Sequence, residues 1–125
     1  MTILVLDASA TVRSKIESLL IATDIDNLDI CQFEDGESAI DFIDSNDVDI
    51  IFSGIEIKGI DGVSFADLIL RGKPEMVPRL FIVTSQTNTT HLEEIKEVGA
   101  KRFIKKPISD EYFNHFVIPE IKKLL

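Results

Sequence analysis

Short apolar runs alternate with segments of helical period along the chain, and this alternation limits the fold more than any other feature. A helix with one buried face repeats its apolar residues about every 3.6 positions, whereas a buried strand is a short continuous apolar run. The strand-like runs occupy residues 3–6, 28–33, 48–54, 80–83 and 103–104. Each run is followed by a segment whose apolar residues recur at helical spacing. The pattern therefore predicts an α/β fold with five strands and five helices.

The strand runs are mostly apolar, which is typical of a parallel sheet covered by helices on both faces. Right-handed crossovers then favour a doubly wound, flavodoxin-like sheet of order 2-1-3-4-5, as one domain over residues 1–125. In such sheets functional side chains gather where the strands end. The residues at the predicted strand ends are Asp7-Ala8, Ser53-Gly54, Thr84-Ser85 and Lys105-Lys106.

Local signals predict where two helices begin and where one is interrupted. Thr90 and Glu93 fit a capping box, so Thr90 is the predicted N-cap of the fourth helix, and Ser109 is the predicted N-cap of the last. Because Pro119 lacks an N–H, we expect a break or kink near Ile118. The apolar residues expected on the last helix are Phe113, Phe116, Ile121 and Leu124 or Leu125. Three aromatic residues cluster on this helix: Tyr112, Phe113 and Phe116. One that faces solvent would mark a partner site.

Composition excludes several classes of protein. Of the 125 residues, 45% are hydrophobic and 28% are charged, which is the balance of a folded globular protein rather than a disordered or fibrous one. No apolar run approaches the roughly 20 residues of a membrane helix, and the run at the start ends at Asp7, too early for a signal peptide. Cys31 has no second cysteine to pair with, and its spacing to His91 and His115 is not that of metal ligands. We therefore expect a cytoplasmic protein without a metal or cofactor.

Charge is distributed unevenly. The net charge is −9, so nucleic acid and anionic membranes are not expected partners. Residues 1–95 contain 6 cations and 18 acids, whereas residues 96–125 contain 7 cations and 4 acids. This asymmetry is compatible with an ordinary solvated acidic flank, and also with two faces of opposite sign that select different partners.

Four motifs in register resemble those of a known family. They are Ile3-Leu4-Val5-Leu6-Asp7-Ala8-Ser9 with Arg13, Ile60-Asp61-Gly62, Val83-Thr84, and Lys106-Pro107. In this order and spacing they resemble the receiver domain of bacterial response regulators over essentially the whole chain. The resemblance implies a signalling module rather than an enzyme. In typical members, two acidic residues after the first strand and an aspartate ending the third hold Mg²⁺, and that aspartate takes a phosphoryl group from a histidine kinase.

The resemblance also implies roles for the later strands. A hydroxyl at the end of the fourth strand and a lysine before a cis proline bind the phosphoryl oxygens, and these positions are Thr84 and Lys106 here. An aromatic of the fifth strand reshapes the surface of helix 4, strand 5 and helix 5, and it is Phe103 here, without the hydroxyl of a tyrosine. The nearby cations are compatible with a docking patch and equally with solvated charge; they are Lys101, Arg102 and Lys105.

The chain departs from the family pattern at the positions that perform the chemistry. The second acidic position is Ala8, the phosphoacceptor position is Gly54, and the position that lends a backbone carbonyl to the metal is Glu56. Glycine has no side chain to form an acyl phosphate, and too few carboxylates remain for Mg²⁺. We therefore predict that Asp7 pairs with Lys106 instead of binding a metal.

Three functions remain open from the sequence. The residues favour a degenerate pseudo-receiver that acts by protein–protein interaction, independently of phosphorylation, through the surface of helix 4, strand 5 and helix 5. A homodimer through the last helix is compatible with that interpretation. The second function is a receiver phosphorylated at another residue, such as Ser53 or Asp7. The third is a small-ligand or anion sensor in the space left by Gly54 and Ala8, with Thr84 and Lys106 as donors.

Overall fold

A five-stranded parallel sheet forms the centre of the molecule in a computed structural model that describes residues 1–85 and 89–125. The strands are β1 (Thr2–Leu6), β2 (Asp29–Phe33), β3 (Ile50–Gly54), β4 (Leu80–Thr84) and β5 (Arg102–Lys105). Their order is β2-β1-β3-β4-β5, and every pairing is parallel. The predicted strand order is therefore confirmed, and the acidic β2 region and the basic β5 region lie at opposite edges of the sheet.

Helices cover both faces of the sheet. They are α1 (Ala10–Ile21), α2 (Gly36–Ser45), α3 (Gly62–Gly72), α4 (Thr89–Glu97) and α5 (residues 110–123), with a 3₁₀ segment at Pro74–Arg79. The apolar residues of β1 alternate between the faces, because side chains on a strand point to opposite sides in turn. Leu4 and Leu6 pack with α2, α3 and α4, whereas Ile3 and Val5 pack with α1 and α5. Each such side chain, when fully buried, contributes about 1.5–3 kcal/mol to stability.

Side-chain oxygens close the N-termini of several helices. Ser9 caps α1, Asp35 caps α2 and Asp61 caps α3, each by accepting a hydrogen bond from a backbone N–H three residues later. Ser109 caps α5 as predicted. The prediction for Thr90 is wrong, because α4 already begins at Thr89 and Thr90 lies within its first turn. The residues just before α4, 86–88, lie outside the described part of the chain.

The last helix is continuous but irregular. It is α-helical over Asp110–Tyr112, forms a π turn over Phe113–Val117 and returns to α over Ile118–Lys123. The break or kink expected near Ile118 takes the form of a wider turn that ends at Val117, directly before Ile118. A proline removes one N–H donor and crowds the carbonyl four residues earlier, and a wider turn is one way to accommodate this.

The π turn changes which residues of α5 face the core. Phe113, Val117, Ile118 and Ile121 are buried, whereas Phe116 is 64% exposed. Of the three aromatic residues that the sequence places on this helix, Phe113 is therefore the one in the core, and Tyr112 and Phe116 face solvent. Phe113 packs at a ring distance of 5.8 Å from Phe52 of β3 and fixes the helix against the sheet. Of the last two residues, Leu124 is half-buried and Leu125 is exposed.

No helix within residues 1–85 and 89–125 is both long enough and apolar enough to cross a bilayer.

Candidate functional site

The carboxyl ends of β1, β3, β4 and β5 bring most of the predicted site residues together. Asp7 follows β1, Gly54 is the last residue of β3, Thr84 ends β4, and Lys106 follows β5. The Lys106 N–H donates to the Thr84 carbonyl at 2.8 Å, which holds the lysine backbone beside β4. The Lys106–Pro107 peptide bond is cis. The side chain of Lys106 then reaches across the strand ends to Asp7.

Asp7 is a buried carboxylate held on both oxygens. Only 2% of the residue is exposed. Oδ1 accepts the Ser9 N–H at 2.9 Å, and Oδ2 lies 2.9 Å from Lys106 Nζ in an ion pair whose angles fall outside hydrogen-bond geometry. The predicted pairing of Asp7 with Lys106 is thus confirmed. Removing one partner of a buried pair costs about 3–5 kcal/mol, although the Lys106 side chain is 23% exposed, which reduces the penalty here.

Gly54 has no room for a side chain while Asp7 keeps this position. A carbon placed as the Cβ of residue 54 would collide with Oδ2 of Asp7 and lie 3.0 Å from its Cγ. The Asp7 carboxylate therefore lies in the volume that a side chain at position 54 would enter. One alternative from the sequence was a ligand site in the space left by Gly54 and Ala8, and the Asp7 carboxylate occupies the part of that space next to Gly54.

Arg13 fixes the backbone of the same loop. Its NH1 donates to the Asp7 carbonyl at 2.6 Å, and its Nε donates to Gln32 Oε1 at 3.2 Å. The Asp7 N–H donates to the Phe33 carbonyl at 3.1 Å. Arg13 was part of the recognised motif. Its hydrogen bonds from α1 to the end of β1 and to β2 could not be predicted from the sequence, because they depend on strand register.

Glu56, at the position that lends a backbone carbonyl to the metal in the family, does not add its carboxylate to the site. The Glu56 side chain is exposed, and its carbonyl accepts the Ala8 N–H at 3.3 Å. Mg²⁺ prefers near-octahedral oxygen ligands, usually with one or two carboxylates. Here the buried carboxylate of Asp7 is already paired with Lys106. Within the described residues, no three His, Cys, Asp or Glu side chains cluster closely enough to hold a metal ion. The residues present therefore do not fit the Mg²⁺ of typical receivers.

The two hydroxyl candidates are engaged with backbone. Thr84 is 5% exposed, and its Oγ1 donates to the Ser85 carbonyl at 3.1 Å. Ser53 is fully buried, and its Oγ donates to the Gly54 carbonyl at 3.0 Å. Neighbours of Ser53 on β3 alternate between the two cores, with Ile51 on the α3 side and Phe52 on the α1 side. Alternation places Ser53 on the α3 face, away from Asp7.

The loop between β3 and α3 is tied to its surroundings. The Lys58 N–H donates to the Glu34 carbonyl at 3.0 Å, and Lys58 Nζ forms an ion pair with Glu34 Oε2 at 3.1 Å. The Asp61 carboxylate accepts hydrogen bonds from the Ser64 N–H and hydroxyl. The Ser64 backbone N–H above all holds the pKa of Asp61 below its usual value. A side chain at Gly62 would collide with the carbonyls of Gly54 and Ile55, so this glycine permits the close packing of the loop.

The predicted interface residues differ from one another in environment. Phe103 is half-buried, with Lys96 Nζ 5.4 Å from its ring centroid. Arg102 lies over the Phe81 ring at 5.3 Å and 3.5 Å from a Glu120 oxygen. Lys101 and Lys105 are exposed.

Comparison with curated proteins shows which larger proteins contain a similar segment. The chain is 30% identical over 106 residues to protein-glutamate methylesterase/protein-glutamine glutaminase 2 of Pseudomonas aeruginosa, covering 85% of this chain and 30% of that protein. It is 27% identical over 111 residues to a cyclic di-GMP phosphodiesterase of Thermotoga maritima, covering 89% and 28%. The chain thus spans less than a third of each relative, and the activities in their names belong to those proteins.

Solved structures share the fold. A putative response regulator from Chloroflexus aurantiacus J-10-fl has a TM-score of 0.81 at 21% identity and covers 97% of both chains. The chemotaxis response regulator CheY4 of Vibrio cholerae has a TM-score of 0.77 at 20% identity, covering 99% of this chain and 98% of that one. The family model of the response regulator receiver domain matches residues 3–117. The chain therefore belongs to the response regulator receiver domain family of two-component signalling.

Proposed function

We propose that this chain is a pseudo-receiver: one receiver domain over residues 1–125 that works in the cytoplasm as a protein-binding module, independently of aspartyl phosphorylation. The observation that carries the proposal is at the end of β3. Position 54 is glycine, and the Asp7 carboxylate occupies the space into which an acceptor side chain would extend. The family's phosphoacceptor is thus missing, and its place is filled.

The electrostatics of the site support the same conclusion. A phosphoryl donor brings negative charge, which is unfavourable beside the Asp7 carboxylate unless a cation offsets it. In typical receivers Mg²⁺ supplies that charge, but the residues here do not fit the ion. Lys106 is the cation of the site, and its ammonium group is already paired with Asp7.

Two alternatives have weaker support. Phosphorylation of Ser53 would require a fully buried hydroxyl to reach a donor, and phosphorylation of Asp7 would require a 2% exposed carboxylate to leave Lys106. An anion sensor would need space and free donors near Gly54. The Asp7 carboxylate takes that space, and it would repel an anion.

The β5 edge of the sheet is the proposed binding face. It includes α4, β5 and α5, and it has exposed aromatic rings, a class of residue that is enriched at protein interfaces. Exposed lysines beside them can steer an acidic partner. Lys101 and Lys105 are exposed beside Phe103, and Tyr112 and Phe116 of α5 are exposed nearby. The opposite edge, around β2 and α2, is acidic. The two edges can therefore select partners of different charge.

Phosphorylation independence is tested by intact-mass spectrometry of the wild-type protein after incubation with acetyl phosphate and Mg²⁺. We expect the mass to stay unchanged. The matched positive control is a conventional receiver treated in the same way. A stoichiometric phosphoryl adduct on the wild-type chain would overturn the proposal, and peptide mapping would then show whether Ser53 or Asp7 had accepted the group.

A further inference from the structure

The loop between β3 and α3 pairs with the chain that leaves β2, above the end of β1. Within the sheet β1 lies between β2 and β3, so these two strands do not pair with each other. Beyond the end of β1, however, Asp35 and Lys58 form an isolated parallel bridge. The Lys58 N–H donates to the Glu34 carbonyl, and the Gly36 N–H donates to the Lys58 carbonyl, both at 3.0 Å. The two segments therefore close over the strand end that leads into Asp7.

Side chains add to the same contact. The Glu37 carboxylate accepts the Ile60 N–H at 3.1 Å. Gly59, directly before Ile60, has a φ of 78°, which glycine adopts at little cost, and a Cβ there would collide with the Glu37 carboxylate. Lys58 Nζ also pairs with Glu34 Oε2, but both side chains are more than half exposed, and exposed ion pairs contribute little. The backbone hydrogen bonds and Glu37 are thus the main ties.

The hydrogen bonds continue from this contact to the buried site. Two residues before Lys58, the Glu56 carbonyl accepts the Ala8 N–H at 3.3 Å. On the other side, the Asp7 N–H donates to the Phe33 carbonyl at the end of β2. Both segments of the contact are therefore bonded to the short stretch of backbone that carries the Asp7 carboxylate.

We propose that residues 34–37 and 58–60 form a fixed strap, which holds the β3–α3 loop in one conformation over the end of β1. Opening the strap requires the loss of two backbone hydrogen bonds and the Glu37 contact together, so the loop does not open by itself. The strap keeps Asp7, of which 2% is exposed, shielded beneath the loop. This inference goes beyond the proposed function, because it concerns the motion of a loop rather than phosphoryl chemistry.

Hydrogen exchange and NMR relaxation dispersion on the wild-type protein test the strap. We expect the amides of Gly36, Lys58 and Ile60 to exchange about a hundredfold or more slower than unprotected amides, because each is hydrogen-bonded. Residues 56–60 should show no relaxation dispersion, which detects motion on the microsecond-to-millisecond timescale. Unprotected amides at these three positions, or dispersion throughout the loop, would overturn the proposal.

Two substitutions of Lys58 separate its backbone from its side chain. Proline lacks the N–H of the bridge, whereas alanine keeps it and loses only the ion pair. Lys58→Pro should speed exchange at Gly36 and Ile60 by about tenfold beyond its effect on Ile51 of β3, whose exchange reports global unfolding. It should also produce dispersion at Ala8. Lys58→Ala should leave all these rates within about twofold, and equal effects of the two substitutions would contradict the strap.

Glu37 provides an independent pair of variants that leaves the Lys58 backbone unchanged. Glu37→Ala removes the acceptor of the Ile60 N–H, whereas Glu37→Gln keeps an oxygen at the same place. We expect Glu37→Ala to speed exchange at Ile60 about fivefold and Glu37→Gln to stay within about twofold of the wild type. The matched control is Lys123→Ala, which removes another exposed ion pair, with Glu120, and should change neither rate. If Glu37→Ala left the Ile60 rate at the wild-type value, the strap would be refuted even where Lys58→Pro did not fold.

The strap and phosphorylation independence fail separately. Exchange data that show a mobile loop would remove the strap and leave phosphorylation independence unaffected. A phosphoryl adduct on the wild-type chain would defeat phosphorylation independence, whereas the exchange rates would still report on the strap.

Discussion

The contact between Gly54 and Asp7 predicts that an added methyl group has opposite effects in two backgrounds. Alanine restricts the unfolded chain more than glycine does, which by itself stabilises a compatible position by about 0.4–1 kcal/mol. In the wild-type protein, however, the methyl group of Gly54→Ala would collide with Oδ2 of Asp7. The carboxylate would have to rotate and give up its contact with Ser9 or Lys106. A hydrogen bond to a charged group contributes about 1.5–3 kcal/mol. We therefore expect Gly54→Ala to destabilise the wild type by about 1–2 kcal/mol.

In an Asp7→Ala background the same methyl group meets no carboxylate. Gly54→Ala should then be neutral or stabilising by up to about 1 kcal/mol, although Asp7→Ala itself lowers stability. The coupling energy between the two positions should be about 1–3 kcal/mol. The assay is urea unfolding monitored by far-ultraviolet circular dichroism, with one shared m-value (the dependence of unfolding free energy on urea concentration) for all variants.

Gly72 provides the matched control for this cycle. A Cβ at Gly72 would have no neighbour within 4 Å, so Gly72→Ala should be equally neutral or stabilising with and without Asp7. If Gly54→Ala stabilised the wild type as much as it stabilised the Asp7→Ala variant, Asp7 would not occupy the space next to position 54, and our explanation of the site would be wrong.

Two further predictions concern the scaffold. Phe113→Ala should lower the free energy of unfolding by about 3–5 kcal/mol, whereas Phe116→Ala should change it by no more than about 0.5 kcal/mol; equal losses by urea unfolding would refute the π-turn register. Asp61→Ala should cost about 1 kcal/mol at pH 7. Because the pKa of Asp61 is lowered on folding, its ionised form stabilises the protein above the usual aspartate pKa of about 3.9, and this contribution is lost as the pH falls through the lowered pKa. As the pH falls, the wild type should therefore lose more unfolding free energy than Asp61→Asn does. A difference between the two proteins that does not change with pH would contradict the capping role of Asp61.

Much of the fold could be predicted from the sequence because it depends on local periodicity. The strand runs and the helical spacing of residues such as Ile16 and Leu20 reflect burial directly, and parallel crossovers leave few possible strand orders. The Asp7–Lys106 pair could also be predicted, since a buried carboxylate requires a nearby cation.

The details that the sequence left open are those in which tertiary packing decides local geometry. Which of Tyr112, Phe113 and Phe116 faces solvent depends on the π turn, and no spacing rule in the sequence predicts that turn. An open space above Gly54 remained one alternative, because the absence of a side chain is visible in the sequence but the conformation of Asp7 is not.

The most direct test of phosphorylation independence is an amide NMR spectrum of the uniformly labelled wild-type protein, recorded first with Mg²⁺ and then with Mg²⁺ and acetyl phosphate. We expect the resonances of Ser9, Gly54, Phe103 and Lys106 to keep their positions through both additions. Saturable shifts at Ser9 and Gly54 with Mg²⁺, followed by shifts at Phe103 once acetyl phosphate is present, would show a working metal site coupled to the β5 face and would contradict the account.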